Sequence, residues 1–146
     1  MNALKIEQTQ EAQLLASLEI ACFGNEAWST EMLKSCMDNS FRHAYLLTDE
    51  GEAVAYCIMQ IIFGEGEILR IGTSPNHRKK KYAKKLLKEL LETQNLESCF
   101  LEVHAANEAA KALYKSCGFI VTGKREGYYS DGFDAITMEW KRLTNE

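Results

Sequence analysis

Apolar and polar positions along the 146-residue chain follow two periods, and the order of these periods predicts the fold. Residues 10–22 and 80–94 repeat apolar side chains every three or four positions, as a helix lying on a core does. Two shorter helices are predicted, one that begins at Ser29 and ends near residue 38, and one over 108–116 that ends at Cys117-Gly118. Apolar or alternating segments typical of strands cover 3–8, 43–48, 53–62, 67–73, 98–103, 119–122 and 134–140.

The predicted order is β-α-α-β-β-β-α-β-α-β-β, with helices between runs of strands. Such an order indicates an α/β or α+β domain, with a mixed sheet of about six to seven strands and about four flanking helices. The strands at 67–73 and 98–103 flank the helix over 80–94, so we expect them to be parallel. Because the chain shows no repeat, linker or low-complexity segment, we interpret residues 1–146 as a single domain.

Composition narrows the classes of function. The chain is 46% hydrophobic and 26% charged and contains one Pro, which excludes fibrous and low-complexity proteins. No apolar run approaches the ~20 residues of a membrane span, and the first residues do not resemble a secretory signal. We therefore expect a cytoplasmic protein with no membrane partner. Five cysteines without a CxxC pair predict neither a disulfide framework nor a metal site.

Positive charge is concentrated in one stretch of a chain whose net charge is −4. This stretch contains seven cations and no acid: Arg78, Lys79, Lys80, Lys81, Lys84, Lys85 and Lys88. Nucleic-acid-binding proteins spread positive charge over a whole face, so we expect no nucleic-acid partner, although polyanion binding stays an alternative. The stretch opens a predicted helix, whose unpaired first amides favour an anion. It therefore predicts a site for the phosphates of a small ligand.

The segment IGTSPNHRKKKYAKKLL (71–87) resembles the acyl-CoA-binding motif of the GNAT N-acetyltransferases, Gln/Arg-x-x-Gly-x-Gly/Ala. Arg78 takes the first position of this motif and Ala83 the last, but Lys81 stands where the family prefers Gly. A side chain there requires an ordinary negative φ or a strained positive one. The resemblance implies the GNAT fold, acetyl-CoA as co-substrate and no metal. The cofactor-binding residues that it implies are Ile71, Gly72 and Thr73 for the pantetheine arm, and Arg78, Lys79, Lys80, Lys81, Tyr82 and Ala83 for the pyrophosphate.

The segment LEVHAANEAAKALYKSCGF (101–119) resembles one GNAT subfamily, the RimI-type ribosomal-protein-alanine N-acetyltransferases. The resemblance implies that Glu102 is the general base, that Tyr114 is the general acid and that Asn107 binds the CoA arm. It also implies a protein or peptide N-terminus as acceptor, as in a ribosomal protein that begins with Ala. Trp28-Ser29 and Tyr128-Tyr129 match the subfamily as well, and their aromatic rings are candidates for the wall of an acceptor cleft.

The residues themselves suit acyl transfer from a thioester to an amine. An α-amine is mostly protonated at pH 7, so a base assists its attack, and the leaving thiolate needs a proton. Glu102 interrupts an apolar strand, so its carboxylate lies either on a solvated face or in a buried site, where burial would raise its pKa towards a value useful for a base. Glu65 and Glu67 are rival bases on the preceding strand. His77 and His104 have no carboxylate at motif spacing, and we interpret them as bystanders.

Three alternatives stay open on the sequence alone. The acceptor amine could belong to a lysine side chain or to a small molecule. The domain could instead bind acyl-CoA with little catalysis, a hypothesis that Lys81 at the usual Gly position motivates. For the assembly state, we expect a monomer or a weak dimer.

Overall fold

The computed structural model describes residues 4–143, apart from the side chains of residues 78–80. Its elements follow the predicted order, with each boundary within a few residues of the predicted one. The elements are β1 (Leu4–Thr9), α1 (Ala12–Phe23), α2 (Thr30–Met37), β2 (Arg42–Asp49), β3 (Glu52–Ile62), β4 (Glu65–Thr73), α3 (Tyr82–Thr93), β5 (Ser98–His104), α4 (Glu108–Ser116), β6 (Ile120–Arg125) and β7 (Ala135–Lys141).

Local signals in the sequence explain where the helices begin and end. The Ser29 side chain accepts a hydrogen bond from the Met32 amide and caps α2, and Asn107 caps α4 through the Ala110 amide. Helix α1 ends at Gly24, whose positive φ of 58° suits a residue without a side chain. These caps confirm the predicted starts of α2 and α4 and the predicted end of α1.

Helix α3 begins two residues later than its periodicity predicts. A short 3-10 turn over Pro75–Lys80 precedes it, and Lys81 is its N-cap residue, with φ 59° and ψ 34°. The fixed φ of Pro75 starts this turn, and the left-handed Lys81 reverses the chain into α3. Of the two backbone conformations that the sequence leaves open for Lys81, the structure adopts the strained one.

The seven strands form one sheet in the order β1-β2-β3-β4-β5-β7-β6. Every neighbouring pair is antiparallel except β4 and β5, which are parallel as the intervening helix predicts. Their parallel pairing covers only Glu65–Glu67 on β4 and Ser98–Phe100 on β5. Beyond these residues the β4–β5 ladder ends.

The two faces of the sheet are covered unequally. Helices α3 and α4 pack on one face, where Leu86, Leu87, Leu90 and Leu91 are buried as predicted. Helices α1 and α2 cover the other face, but over β2, β3 and β4 only. Strands β2 and β3 therefore carry uninterrupted buried runs, whereas β5 alternates and buries Cys99, Leu101 and Val103. The alternate side chains of β5 lie on the face that α1 and α2 leave uncovered.

Each cysteine lies in the apolar core or packs against it. Cys57, Cys99 and Cys117 are buried. Burial raises the pKa of the Cys99 thiol to about 12, so it packs as a neutral apolar group. Within residues 4–143, no helix has the length and apolar character needed to cross a membrane.

Candidate active site

A cavity of about 650 Å³ opens where β4 and β5 separate. Its walls come from the part of β4 beyond Glu67, the end of β5, the start of α3 and one side of α4. This volume lies in the usual range for a small-molecule site. The cavity lining includes nine of the twelve residues that the sequence nominates: Ile71, Gly72, Thr73, Lys81, Tyr82, Ala83, Glu102, Asn107 and Tyr114. The other three are Arg78, Lys79 and Lys80, whose side chains lie outside the described part of the chain.

The β4 wall suits an extended amide-containing ligand. After Glu67 this strand keeps its pairing with β3, through Arg70, Ile71, Gly72 and Thr73, but not with β5. A bulge at Leu69 shifts the register between Ile68 and Arg70. An unpaired strand edge binds an extended chain through backbone hydrogen bonds, so this wall fits the amides of a pantetheine arm.

Gly72 is required by close packing rather than by its backbone angles. A Cβ atom at this position would lie 2.9 Å from the Tyr56 ring and 3.1 Å from the Cys22 sulfur. Both distances are shorter than ordinary side-chain contacts, so the β4 wall stays flat only with Gly at this position.

The α3 wall suits an anion. The N-cap residue Lys81 makes no side-chain hydrogen bond to the first turn, and the Lys85 amide donates to the Lys81 carbonyl at 3.1 Å. A helix N-terminus without a side-chain cap attracts negative charge. Tyr82 itself is buried and donates its hydroxyl to Asp49 at 2.5 Å, which ties α3 to the β2–β3 turn.

Glu102 lies on the uncovered face of β5, with its side chain 23% exposed. Arg125 Nε stands 3.1 Å from its Oε2 atom, within ion-pair distance but without the alignment of a hydrogen bond. Among the described residues this buried oxygen accepts no hydrogen bond. Since a carboxylate oxygen without a donor is a ready acceptor, Glu102 is placed to take a proton from a group that enters the cavity.

The rival carboxylates lie on the paired part of β4. Glu65 and Glu67 stand opposite Ser98 and Phe100 in the parallel ladder, and neither contributes to the cavity lining. Burial raises the pKa of Glu67, and the nearby negative charge of Glu102 raises it further. Glu67 is therefore a neighbour of the cavity rather than part of its lining.

Tyr114 lines the cavity from α4 and is 7% exposed. Burial raises the pKa of its phenol above the ordinary value of 10, and the neighbouring thiols of Cys57, Cys117 and Cys99 raise it further. The phenol is consequently protonated at neutral and mildly basic pH. A protonated phenol is able to donate to a leaving thiolate and to recover its proton from solvent.

One buried polar cluster beside the cavity is not among the sites predicted from the sequence. Glu19 of α1 is fully buried and accepts two hydrogen bonds from Arg70 of β4, at 2.6 and 3.1 Å. The Tyr56 hydroxyl and the Trp28 amide also donate to its carboxylate. The Arg70 guanidinium lies over the rings of Phe23 (4.1 Å) and Trp28 (4.8 Å).

The signal for this cluster is present in the sequence. Glu19 falls on the apolar stripe of α1, four residues after Leu15, and Arg70 interrupts the apolar strand EILRIGT. A charge on each of two buried faces predicts a pair of opposite sign. The cluster fixes the α1–α2 connection, and with it Trp28, against β4.

His104 also has a partner that the sequence analysis did not find. Its Nε2 atom lies 2.6 Å from Asp131 Oδ2, on the connection between β6 and β7. The interpretation of His104 as a bystander rested on the lack of a carboxylate at short spacing, and the fold supplies one from 27 residues away. His77 makes a longer contact of 3.8 Å with Glu52.

Together the walls define a site for group transfer from an extended, phosphate-bearing donor. An open strand edge and an uncapped helix N-terminus hold the donor, and a carboxylate and a protonated phenol face the same cavity. Groups of three or more metal-ligating side chains are absent from the described residues. The sheet whose parallel strands separate over such a cavity is the acetyltransferase architecture that the sequence resemblance implies.

Comparison with known proteins supports the acetyltransferase class. Residues 12–119 match the acetyltransferase (GNAT) family. The chain is 33% identical to the [ribosomal protein bS18]-alanine N-acetyltransferase of Escherichia coli over 117 residues, 76% of this chain and 78% of that one. It is 32% identical to the N-alpha-acetyltransferase RimI of Mycobacterium tuberculosis over 134 residues, 88% and 85% of the two chains.

The fold of a relative has been determined. The crystal structure of the ribosomal-protein-S18-alanine N-acetyltransferase from Escherichia coli superposes with a TM-score of 0.85 at 29% identity, covering 100% of this chain and 97% of that chain. The chain therefore belongs to the GNAT acetyltransferase family, and acetyl-CoA is its acetyl donor. These findings confirm the predicted fold class and the predicted donor.

Proposed function

We propose that this protein transfers an acetyl group from acetyl-CoA to the N-terminal α-amine of a protein, by direct attack within a ternary complex. The observation that carries the proposal is the placement of Glu102 and Tyr114 on one cavity, beside the open edge of β4. The relatives named [ribosomal protein bS18]-alanine N-acetyltransferase support a ribosomal protein as acceptor, and we infer that its N-terminal residue is Ala.

The donor site in this proposal consists of two walls. The backbone of Ile71, Gly72 and Thr73 pairs with the pantetheine arm, and a free amide of this edge polarises the thioester carbonyl. The residues over 78–83 hold the pyrophosphate at the start of α3. Asn107 both caps α4 and contributes to the cavity lining, so it is able to bond the CoA arm without leaving its helix.

Glu102 and Tyr114 act on different protons in this proposal, because their surroundings differ. Glu102 removes one proton of the acceptor ammonium, so that the neutral nitrogen attacks the thioester carbonyl and forms a tetrahedral intermediate. As this intermediate collapses, the carbon–sulfur bond breaks, Tyr114 gives its proton to the departing sulfur, and the nitrogen of the new amide loses its second proton to solvent, from which Tyr114 recovers its own. The position of Glu102 within the cavity lining, with Glu65 and Glu67 outside it, supports Glu102 as the base.

The exposed partner of Glu102 supports a cationic acceptor. Arg125 is 60% exposed and contacts the carboxylate from the solvent side, and its guanidinium also lies 5.6 Å from the Tyr128 ring. A surface ion pair of this kind contributes little to stability. An incoming α-ammonium group therefore replaces Arg125 at Glu102 at small cost.

Release of free CoA thiol from acetyl-CoA tests the proposal. The acceptors are short peptides that differ only in their N-terminal residue, together with an N-terminally blocked peptide that contains lysine. We expect turnover of unblocked peptides, fastest with N-terminal Ala. Turnover of the blocked peptide alone would assign the enzyme to lysine side chains, and acetyl-CoA binding without any turnover would leave an acyl-CoA-binding domain.

A further inference from the structure

His104 is the last residue of β5 and lies two residues after Glu102. Alternate residues of a strand lie on the same face, so His104 and Glu102 share the face that α1 and α2 leave uncovered. His104 also contributes to the lining of the cavity. It is therefore the closest titratable neighbour of Glu102 along β5.

Three alternate residues of the β6–β7 connection converge on the His104 ring. Asp131 Oδ2 lies 2.6 Å from Nε2. Tyr129 stacks on the ring with 4.7 Å between centroids and an interplanar angle of 29°, and Phe133 contacts it at 4.9 Å. One hydrogen bond and two ring contacts from the β6–β7 connection therefore end on the same imidazole.

The backbone fixes the orientation of this imidazole. The Ala106 amide donates to His104 Nδ1 at 3.1 Å, so Nδ1 is the acceptor and the proton resides on Nε2, which donates to Asp131. The Phe133 amide donates to the second oxygen of Asp131. This bond lowers the pKa of Asp131, and the His104 hydrogen bond lowers it further, so the carboxylate is a charged acceptor for Nε2.

The connection itself is a closed turn. The Tyr129 amide donates to the Phe133 carbonyl at 3.2 Å and the Gly132 amide to the Tyr129 carbonyl at 2.9 Å. These two bonds close the turn from Tyr129 to Phe133, and the contacts with His104 tie it to the end of β5, beside the backbone bond from the Ala105 amide to the Asp134 carbonyl at 3.0 Å. Tyr129 thus stacks on an imidazole that lines the cavity, and burial raises the pKa of its phenol, with the nearby charge of Glu102 raising it further.

We propose that His104 is a positioning residue, which holds the β6–β7 connection through Asp131 and sets Tyr129 as the wall against which the acceptor peptide binds. The inference rests on the proposed function and adds the element that determines acceptor affinity. The residues proposed to hold the donor lie on β4, at the start of α3 and at Asn107, and neither His104 nor the β6–β7 connection is among them. Loss of the contact therefore weakens the binding of the acceptor and leaves the binding of acetyl-CoA intact.

Steady-state kinetics of His104→Phe, Asp131→Asn and the double variant test the inference, with an Ala-starting peptide as acceptor. Phe keeps an aromatic ring between Tyr129 and Phe133 but removes both ring nitrogens, and with them the acceptor for the Ala106 amide; Asn keeps the shape of Asp131 but removes its charge. We expect the KM for the peptide to rise about tenfold in each single variant, in the range of a charge-assisted hydrogen bond. The double variant should be no worse than His104→Phe, because Asp131 has then already lost its His104 partner.

Two matched variants serve as controls. His43→Phe and Asp38→Asn make the same chemical changes on β2 and after α2, outside the cavity lining. Both should keep the KM for the peptide. In the His104 and Asp131 variants, the KM for acetyl-CoA should change less than about twofold and kcat less than about threefold, since the reacting groups stay in place.

Amide hydrogen exchange provides a readout that does not require turnover. In His104→Phe the Tyr129 and Gly132 amides should lose protection, while the core amides of β3 keep theirs. An unchanged peptide KM, or a fall in kcat at constant KM, would overturn the positioning role. If the unsubstituted protein acetylated none of the peptides, the proposed acceptor would be wrong, and unchanged exchange in His104→Phe would then refute the positioning of the connection independently.

Discussion

The two halves of the sheet are built from similar strands but are covered differently. Strands β2–β4 lie between two layers of helices, and β2 and β3 are buried along uninterrupted runs. The described residues of β5–β7 contribute no side chain to the core cluster under α1 and α2, so their polar positions on that face remain open. The second helical layer stabilises the first half of the sheet. Because α1 and α2 do not cover the second half within the described residues, Glu102 and His104 stay accessible.

Each half contains an Arg–Glu ion pair, and the two pairs show the same difference. Glu19 is fully buried and its carboxylate is saturated by Arg70, Tyr56 and Trp28. Glu102 is partly exposed, and one of its oxygens accepts no hydrogen bond within the described residues. A saturated carboxylate serves the structure, and an unsaturated one is available for chemistry.

We expect the largest loss of activity from substitution of Glu102, whose carboxylate is not saturated by hydrogen bonds. Glu102→Gln should lower turnover of a peptide acceptor by about 10²-fold or more at neutral pH, because an amide cannot accept the proton. The affinity for acetyl-CoA, measured by calorimetry, should stay the same. Glu67→Gln is the matched control on the neighbouring strand; if it caused the larger loss, the base would be Glu67.

Removal of the phenol should have the next largest effect. Tyr114→Phe should slow turnover by up to about 10²-fold, since the leaving sulfur loses its proton donor. A raised pKa keeps the phenol protonated to higher pH, so kcat of the unsubstituted enzyme should show no alkaline decline from this group below pH of about 10. A pH–rate profile measures this directly. Full activity of Tyr114→Phe would remove the residue from the mechanism.

The two ion pairs should differ in their contribution to stability. Arg70→Met leaves Glu19 as a buried charge without its cation, which should lower the free energy of unfolding by about 3 kcal/mol. Arg125→Met removes the exposed partner of Glu102 and should cost less than about 1 kcal/mol. Chemical denaturation of both variants gives the comparison, and equal losses would contradict the distinction between the two halves.

The smallest effect concerns the strained backbone before α3. Lys81→Gly should stabilise the protein by up to about 1 kcal/mol, because Gly adopts a φ of 59° without a clash. Lys88→Gly, in the middle of the same helix, should instead cost about 1 kcal/mol. Acetyl-CoA binding should survive the first substitution. Its loss would show that the Lys81 ammonium has replaced a missing backbone contact.

The sequence was sufficient to predict the elements and most of the candidate site. Helical spacing in α3, the caps at Ser29 and Asn107 and the motif around Glu102 are local signals, and a local signal can be read without a structure. The parallel pairing of β4 and β5 also follows from order along the chain, because a single helix joins the two strands.

The remaining features depend on contacts between distant residues. Arg70 meets Glu19 across 51 positions, and Asp131 meets His104 across 27. No spacing rule connects such pairs, although each charge on an apolar face indicates that a partner exists. The conformation of Lys81 was left open for a different reason: the local sequence allows two values of φ, and only the path of the chain into α3 selects one.

The short parallel pairing between β4 and β5 has a consequence for how the chain folds. Residues 4–73 supply all strands of one half and residues 98–141 all strands of the other, so the described chain passes between the halves once. Within each half most strands pair with a near neighbour in sequence, and such pairs form early because little loop entropy is lost. The three residue pairs between β4 and β5 join the halves, and they form only after both halves have folded. We therefore expect the donor cleft to be the last feature to form, after synthesis has reached β7.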